Sequence, residues 1–225
     1  MGDSNRARTR VATVGRPPDA DQRAVREAIL QAALRLFGDK GFEACSLQEI
    51  AARAGVTKPM VHYYYESKVG LLRAVFESVL AKMLDRLRAL AVDEVHSVRE
   101  RIDLLARDHR ESCENQPDEA RFMRRLIFID PPRALSRLDR KRMKQMLGVI
   151  YGSFCAMAEQ GVRSGELHGE PRVIAALLHA IIGYTPMLEV IFEHEPRGHC
   201  GRFTEEMVAS LWTGIVPARD QGVVK

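Results

Sequence analysis

The stretch from Ser46 to Leu72, SLQEIAARAGVTKPMVHYYYESKVGLL, constrains the fold of this chain more than any other part of the sequence. Ser46 followed by Glu49 has the spacing of a capping box, which starts a helix. The tripeptide Ala54-Gly55-Val56 then indicates a tight turn, because glycine adopts a positive φ without steric cost. The stretch therefore predicts two short helices that cross steeply, followed by the start of a long helix.

The second short helix is predicted to have two chemically different sides. Thr57 is its expected N-cap, and Pro59 lies in its first turn, where a missing N–H does no harm. At about 100° per residue, one side carries Thr57, Val61 and Tyr64, and the other carries Lys58, Pro59, His62 and Tyr63. The second side offers a cation and hydrogen-bond donors, so we expect it to lie in a DNA major groove.

Lys68 is expected to add a second phosphate contact, together with the free N–H groups at the start of the long helix. The candidate DNA-binding residues are Ser46, Thr57, Lys58, Pro59, Met60, His62, Tyr63 and Lys68. Tyr64 and Tyr65 are instead expected in the core, because large aromatic side chains mainly bury apolar area.

Apolar residues recur with a helical period along the rest of the chain, and we predict an all-α protein. The sequence contains no alternating strand pattern, glycine-rich phosphate loop or internal repeat. The predicted helices begin near Asp21, at Ser46, after Thr57 and at Ser67, then cover about 98–113, 119–129 and 136–163, and finally begin at Pro171 and after Thr204.

We divide the 225 residues into a disordered basic tail at 1–20, a helix-turn-helix domain at 21–68 and a helical bundle at 69–225. Residues 1–72 hold 11 Lys and Arg against 8 Asp and Glu, so the head carries +3 of the net charge of +4. Two alternatives remain for Arg6, Arg8, Arg10 and Arg16, which form either a minor-groove arm or a solvated tail.

The four cysteines form no CxxC pair and are expected as reduced thiols in a reducing cytoplasm. No signal peptide is visible, and the longest apolar run falls short of the ~20 residues that cross a bilayer, so no membrane contact is expected. We expect no cofactor and no metal, since His194, His199 and Cys200 lack the spacing of metal ligands.

The head carries an ordered set of residues, namely Leu36-Phe37, Gly41-Phe42, Ser46, Ile50-Ala51, Ala54-Gly55-Val56-Thr57, His62-Tyr63-Tyr64-Tyr65, Lys68 and Leu71. This set resembles the DNA-binding head of the TetR family of transcriptional regulators, and the similarity covers about residues 24–72. Farther along, Gly161 and Gly165-Glu166-Leu167 resemble the loop after the family's seventh helix. Pro59, Met60 and His62 depart from the pattern, so we expect base recognition to rely on Lys58, methyl contacts and DNA shape.

The resemblance implies a homodimer that binds an operator and encloses a pocket for a small-molecule effector. We expect the helix at 173–192 and the final helix with Trp212 to form a four-helix interface, because the former is too apolar to face water. The candidate pocket residues lie on the middle helices and are Phe122, Met123, Ile127, Met146, Ile150, Phe154, His179, Tyr184 and Met187. Core packing is the alternative for each of them.

Ligand binding is expected to shift the long fourth helix, the one evident link between head and bundle, and so to release a repressor from a palindromic operator. Two alternatives remain open. One is a DNA-binding regulator without a small-molecule effector, which is constitutive or controlled by a partner. The other is a helical enzyme, but His109 and Cys113 lack the electropositive setting and third group that nucleophilic catalysis needs.

Overall fold

The structure, a computed structural model, describes residues 19–133, 136–191 and 199–215, with side chains at 22–133, 136, 139–183 and 204–212. Within these ranges it is all-α, as predicted. The helices are α1 (Asp19–Lys40), α2 (Leu47–Ala54), α3 (Lys58–Tyr65), α4 (Lys68–Ala91), α5 (Val98–Asn115), α6 (Pro117–Arg124), α7 (Arg137–Ser164), α8 (Pro171–Ile191) and α9 (His199–Ile215). No helix in the described ranges is both long and apolar enough to span a bilayer.

The predicted tail at residues 1–20 lies almost wholly outside the described residues. The predicted basic arm, with its four arginines, is therefore outside the described residues.

Serine caps start three helices where the sequence predicts them. The Ser46 hydroxyl accepts a hydrogen bond from the Glu49 amide at 3.1 Å, and the Ser67 hydroxyl accepts one from Gly70 at 3.0 Å. At α7, the Ser136 hydroxyl accepts from the Asp139 amide at 3.1 Å. Each cap satisfies a backbone donor that the first helical turn leaves unpaired, so these helix starts are decided locally.

Two helices differ from the prediction. The helix expected at 119–129 begins at Pro117 and changes at Arg125 into a π-helical turn, Arg125–Ile129, closed by the Asp130 amide donating to the Arg125 carbonyl at 2.9 Å. The last helix begins at His199 rather than after Thr204, so the side chain of Thr204 is buried within it. His199 and Cys200 consequently lie in a helix, not in the expected loop.

α1, α2 and α3 form a head that shares one apolar core with the rest of the described chain. The cluster of buried side chains runs without interruption from Ile29 in α1 to Trp212 in α9. α4 carries buried leucines along its length and passes from the head into the bundle. The Arg73 guanidinium on α4 pairs with Asp139, which is also held by Ser136 at the start of α7. α4 is therefore fixed to both parts.

α4 is not the single link that the sequence suggested, because α6 and the π-helical turn also dock on the end of α1. The Phe37 and Phe122 rings lie 6.5 Å apart. A Cβ atom at Gly38 would lie 3.3 Å from the Phe122 amide nitrogen, so the two helix backbones approach closely. The prediction of a single connection is wrong, because the period of apolar residues along α4 does not show which helix packs on α1.

Ion pairs surround this docking contact on the surface. Arg35 on α1 lies 3.0 Å from Asp118 on α6, and Arg121 on α6 lies 2.9 Å from Asp39. Arg125 in the π-helical turn donates to the Asp39 carbonyl oxygen at 3.0 Å. Exposed pairs add little to stability one by one, but these fix the orientation of α6 on α1.

Trp212 is buried within its own chain, which corrects the prediction that it adds to a dimer interface. Its indole N–H donates to the Asp103 carboxylate on α5 at 2.8 Å, and the Arg99 guanidinium lies 5.0 Å from its ring. α9 thus packs on α5 as part of the bundle.

α8 is also not buried on both sides within the single chain. Ile174, Leu178 and Ile182 face the core, whereas Val173 is 57% exposed and Leu177 is 42% exposed. The neighbouring helix α7 exposes small and apolar residues beside them. We call the α7–α8 face the exposed set Gly148, Val149, Gly152, Ala156, Val173, Ala176, Leu177 and Ala180.

Phe122→Ala tests the docking of α6 on α1. Removing this buried ring should lower the free energy of unfolding by about 3–5 kcal/mol, because it loses apolar burial and leaves a cavity between head and bundle. Urea denaturation at fixed protein concentration measures the change. Val95→Ala, at an exposed position, should change it by less than about 0.5 kcal/mol. Equal losses for the two variants would contradict this docking.

Candidate nucleic-acid interface and ligand cavity

α2 is anchored by a capping box that is tied back to α1. The Glu49 carboxylate accepts from the Ser46 amide at 2.8 Å and from the Lys40 ammonium at 2.9 Å. The hydrogen bond from Lys40, and then those from Ser46, lower the pKa of Glu49 to about 2. Because the folded pKa is depressed, the contribution of the box is complete above the ordinary carboxyl pKa and is lost as the pH falls toward 2.

Gly55 makes the turn between α2 and α3, as predicted. Its φ is 69° and ψ is 26°, a left-handed conformation that favours glycine, and the Val56 amide donates to the Ala51 carbonyl at 3.0 Å. Thr57 has the extended conformation of an N-cap, but its side chain makes no capping hydrogen bond. Thr57 is thus at the expected N-cap position, but the hydroxyl of this exposed residue does not cap the helix.

α3 separates its buried and exposed sides as the sequence predicts. Val61 is buried, and Tyr65 is buried with its hydroxyl donating to the Arg26 carbonyl of α1 at 2.9 Å. Tyr64 is partly buried and packs edge-on against Tyr63 at 5.1 Å. Lys58, Pro59, His62 and Tyr63 are exposed on the other side, with Met60 half-buried beside them. The structure thus places five of the predicted contact residues on one accessible end of the head.

The turn from α3 to α4 is unusually tight. Glu66 has a φ of 62° and a ψ of −43°, and the Ser67 amide donates to the Tyr65 carbonyl at 2.6 Å, which closes a γ-turn. A Cβ atom at Gly70 would overlap that carbonyl oxygen, so glycine is required there. This strained turn holds the start of α4 directly beside the end of α3.

Lys68 has a contact that the sequence did not reveal. Its ammonium donates to the Glu43 carbonyl at 3.2 Å and lies 4.4 Å from the centre of the Phe42 ring. These contacts fix the α1–α2 connection to the start of α4. The predicted phosphate contact of Lys68 therefore requires its side chain to leave this position, and it stays a prediction.

A cavity of about 500 Å³ lies in the bundle between α4, α5, α6, α7 and α8. Its apolar wall includes Val79, Leu80, Met83, Leu87, Leu105, Ala120, Met123, Ile127, Phe128, Leu147, Phe154 and Ile182. The volume is within the range of ligand-binding pockets, and methionines adapt to ligands of different shapes. The π-helical turn supplies two of these side chains, Ile127 and Phe128.

Four of the nine predicted pocket residues line this cavity, namely Met123, Ile127, Phe154 and His179. Three do not. Phe122 points to the other side of α6 against Phe37, Ile150 is in the core, and Met146 lines a separate small space between α4 and α7. The side chains of Tyr184 and Met187 lie outside the described residues.

The cavity wall formed by α4 and α5 is not among the residues predicted from the sequence. Met83, Leu87 and Leu105 contribute apolar surface there, and His109 and Cys113 add polar groups. The helical period of apolar residues does not distinguish a filled core from a cavity wall. The spacing of His109 and Cys113, one turn apart, was the available signal.

Two ion pairs lie at the cavity. Lys82 lies 2.6 Å from the Glu119 carboxylate and also donates to Gln116 at 2.9 Å. Arg86 pairs with Asp108, and its pKa is raised by that hydrogen bond. His179 lies deeper, 5.8 Å from the Phe154 ring, and burial lowers its pKa, so the neutral imidazole is favoured. The cavity thus suits a ligand that is mainly apolar.

No metal site emerges from the described side chains, which include no group of three or more His, Cys, Asp and Glu placed to hold an ion.

Comparison with known proteins identifies the head. The family model described as "Bacterial regulatory proteins, tetR family" matches residues 29–75. The regulator BetI of Rhizobium meliloti is 42% identical over 82 residues, which is 36% of this chain and 40% of BetI. The chain spans less than half the length of the curated relatives it matches. These relatives are transcriptional regulators rather than enzymes.

Solved structures match the fold over most of its length. A TetR/AcrR-family regulator from Thermobifida fusca has a TM-score of 0.62 and 28% identity, with 84% of this chain and 97% of that chain covered. SmeT of Stenotrophomonas maltophilia, in complex with triclosan, has a TM-score of 0.73 and 19% identity, with 86% and 92% covered. Residues 29–75 therefore match the TetR family of bacterial regulatory proteins, and the described all-α fold is similar to that of a TetR/AcrR-family regulator.

Proposed function

We propose that this protein is a ligand-responsive repressor, which binds a palindromic operator as a homodimer and leaves it when a small, largely apolar molecule fills the cavity. The proposal rests on one segment of the chain whose two opposite faces make different contacts. One face of the segment formed by α6 and the π-helical turn lines the cavity, and the opposite face holds the end of α1 in the head. In this proposal, residues 21–68 bind DNA, and residues 69–225 bind the effector and the second subunit.

The exposed side of α3 supports the DNA-binding part. Val61 and Tyr65 fix the helix to the head, so Lys58, His62 and Tyr63 are presented on a rigid surface. Lys58 is the cation available to guanine or phosphate, and Thr57 has a hydroxyl that does not cap the helix. Met60 and Pro59 offer apolar contacts to thymine methyl groups. Ser46, at the start of α2, is expected to face the phosphate backbone.

The α7–α8 face supports a homodimer. Its exposed glycines and alanines permit close approach of another helix pair, and Val173 and Leu177 supply apolar area that water would otherwise cover. A Cβ atom at Gly148 or Gly152 would have no other atom within 4 Å, so the surface at these two glycines is open. A second copy of the same face is the proposed occupant, because two α7–α8 pairs form a closed four-helix interface with twofold symmetry.

The cavity supports an apolar effector. SmeT, whose fold this chain shares, is bound to triclosan, a compact apolar molecule. His179 and His109 are the cavity groups that we expect to orient a polar group of the ligand. Because ligand fills space next to Ile127 and Phe128, it favours a different position of the π-helical turn. That change reaches the head through Arg125 and Asp39, provided that the ligand binds the two states with different affinity.

A regulator without a small-molecule effector is the alternative, and native mass spectrometry of gently purified protein separates the two. A bound small molecule, or an increase in melting temperature with triclosan, supports the effector. Operator affinity that is unchanged by a molecule bound in the cavity would contradict the coupling.

Lys58→Ala should weaken operator binding and reduce its dependence on salt. Each lost phosphate contact lowers the slope of log affinity against log salt by about one, because fewer counterions are released. Fluorescence anisotropy with a duplex selected from random sequences measures both effects. Arg107→Ala removes an exposed positive charge from α5 and serves as the control, with affinity unchanged. An equal loss in both variants would indicate a general charge effect and refute the assigned contact.

Leu177→Glu should convert the dimer into a monomer. The charge would lie in the apolar centre of the proposed interface, yet it is tolerated in the single chain, where Leu177 is 42% exposed. Light scattering should give about twice the chain mass of 25.3 kDa for the unmodified protein and one chain mass for the variant. Val95→Glu, at an exposed site between α4 and α5, should remain dimeric. A monomeric unmodified protein at micromolar concentration would refute the proposed dimer.

A further inference from the structure

Cys113 and His109 form a thiol–imidazole pair in the wall of the cavity. They lie one turn apart on α5, and the Cys113 Sγ atom is 3.6 Å from the His109 Nε2 atom. Both residues line the space of about 500 Å³ that Met83, Leu105 and Phe154 also border. A molecule in the cavity is therefore in reach of a nucleophilic atom with a base beside it.

The environment of Cys113 differs from that of the other described cysteines. Cys45 is buried and donates its S–H to the Leu36 carbonyl at 3.1 Å, and burial raises its pKa, so its thiolate is disfavoured. Cys155 lies beside the Tyr151 hydroxyl and is not part of the cavity wall. Of these three thiols, Cys113 alone combines a neighbouring imidazole with access to a ligand-sized space.

We propose that Cys113 captures apolar α,β-unsaturated carbonyl compounds covalently inside the cavity, with His109 accepting the thiol proton. The apolar wall selects the hydrophobic part of such a compound, and Lys82 and Arg86 at the cavity are each paired with a carboxylate. A single addition per molecule requires no turnover and therefore no third catalytic group.

The addition balances without an oxidant or a leaving group. The thiol proton passes to His109 Nε2 as the sulfur forms a bond to the β-carbon of the compound. The carbon–carbon π bond breaks, and its electron pair moves to the carbonyl oxygen as an enolate. The proton then returns from the imidazolium to the α-carbon, so the product has the summed mass of protein and compound. This modification goes beyond the proposed function, since its chemistry is independent of DNA.

The test is intact-mass spectrometry of the full-length protein treated with 3-nonen-2-one, an apolar enone, at neutral pH. We expect one adduct per chain, located by tryptic digestion in the peptide of residues 111–121, where Cys113 is the only cysteine. Cys113→Ser should abolish this rapid adduct, and Cys155→Ser should retain it. An adduct on another cysteine with Cys113 unmodified would overturn the proposal.

His109→Gln tests the role of the imidazole. The glutamine is polar and of similar reach but does not accept the thiol proton, so the rate of adduct formation should fall by about tenfold or more. Circular dichroism confirms that the variant is folded, and full denaturation of both proteins should make their alkylation rates equal. A folded variant that reacts at the unchanged rate would refute the assigned role of His109.

The length of the enone tail tests the role of the cavity. For 3-nonen-2-one and for the tailless 3-buten-2-one, the rate of adduct formation at Cys113 is divided by the rate of adduct formation with free N-acetylcysteine. The division removes the difference in intrinsic reactivity between the two enones. We expect this ratio to be several-fold larger for the long enone, because its tail is buried against the apolar wall. Equal ratios would show reaction at an ordinary surface thiol and would overturn capture in the cavity.

Discussion

The close contact between α6 and the end of α1 is the constraint on which the arrangement of this protein depends. It is possible because Gly38 has no side chain where the Phe122 backbone approaches, and because Gly41, with a φ of 85°, lies against Arg125 and Asp130. A side chain at Gly38 would press on the Phe122 backbone, and one at Gly41 would meet the Arg125 and Asp130 side chains and strain the positive φ. Two helices therefore hold the head. α4 extends from the head into the bundle, and α6 packs against the end of α1.

The π-helical turn lies directly beside this contact. A π-helical turn costs stability in an α-helix and is often retained at functional sites. Here it widens the helix at Arg125–Ile129, so that Ile127 and Phe128 reach the cavity while Arg125 reaches Asp39 in the head. One short segment thus combines a cavity-facing side and a head-facing side. The cysteine and histidine of α5 lie in another wall of the same cavity, so covalent and non-covalent ligands would compete for one space.

Local rules predicted much of the fold. The helix starts at Ser46, Ser67 and Ser136 follow from hydroxyls that satisfy free backbone donors, and the turn at Gly55 follows from its left-handed backbone. The prediction was less successful where local signals compete. Thr204 resembles an N-cap, yet α9 begins five residues earlier and Thr204 is buried within it. Nothing in the period of apolar residues distinguishes α-helical from π-helical turns.

The sequence by itself determined the helical class, the caps, the two sides of α3 and the resemblance of the head to its family, because each rests on interactions within about four residues. The tertiary structure alone decided which inward-facing residues border empty space and which fill the core. It placed Met123 and Phe154 at a cavity but Phe122 and Ile150 in packed contacts, and it moved Trp212 into the interior of the bundle. Those outcomes depend on how distant helices meet, which the periodicity of a single helix does not specify.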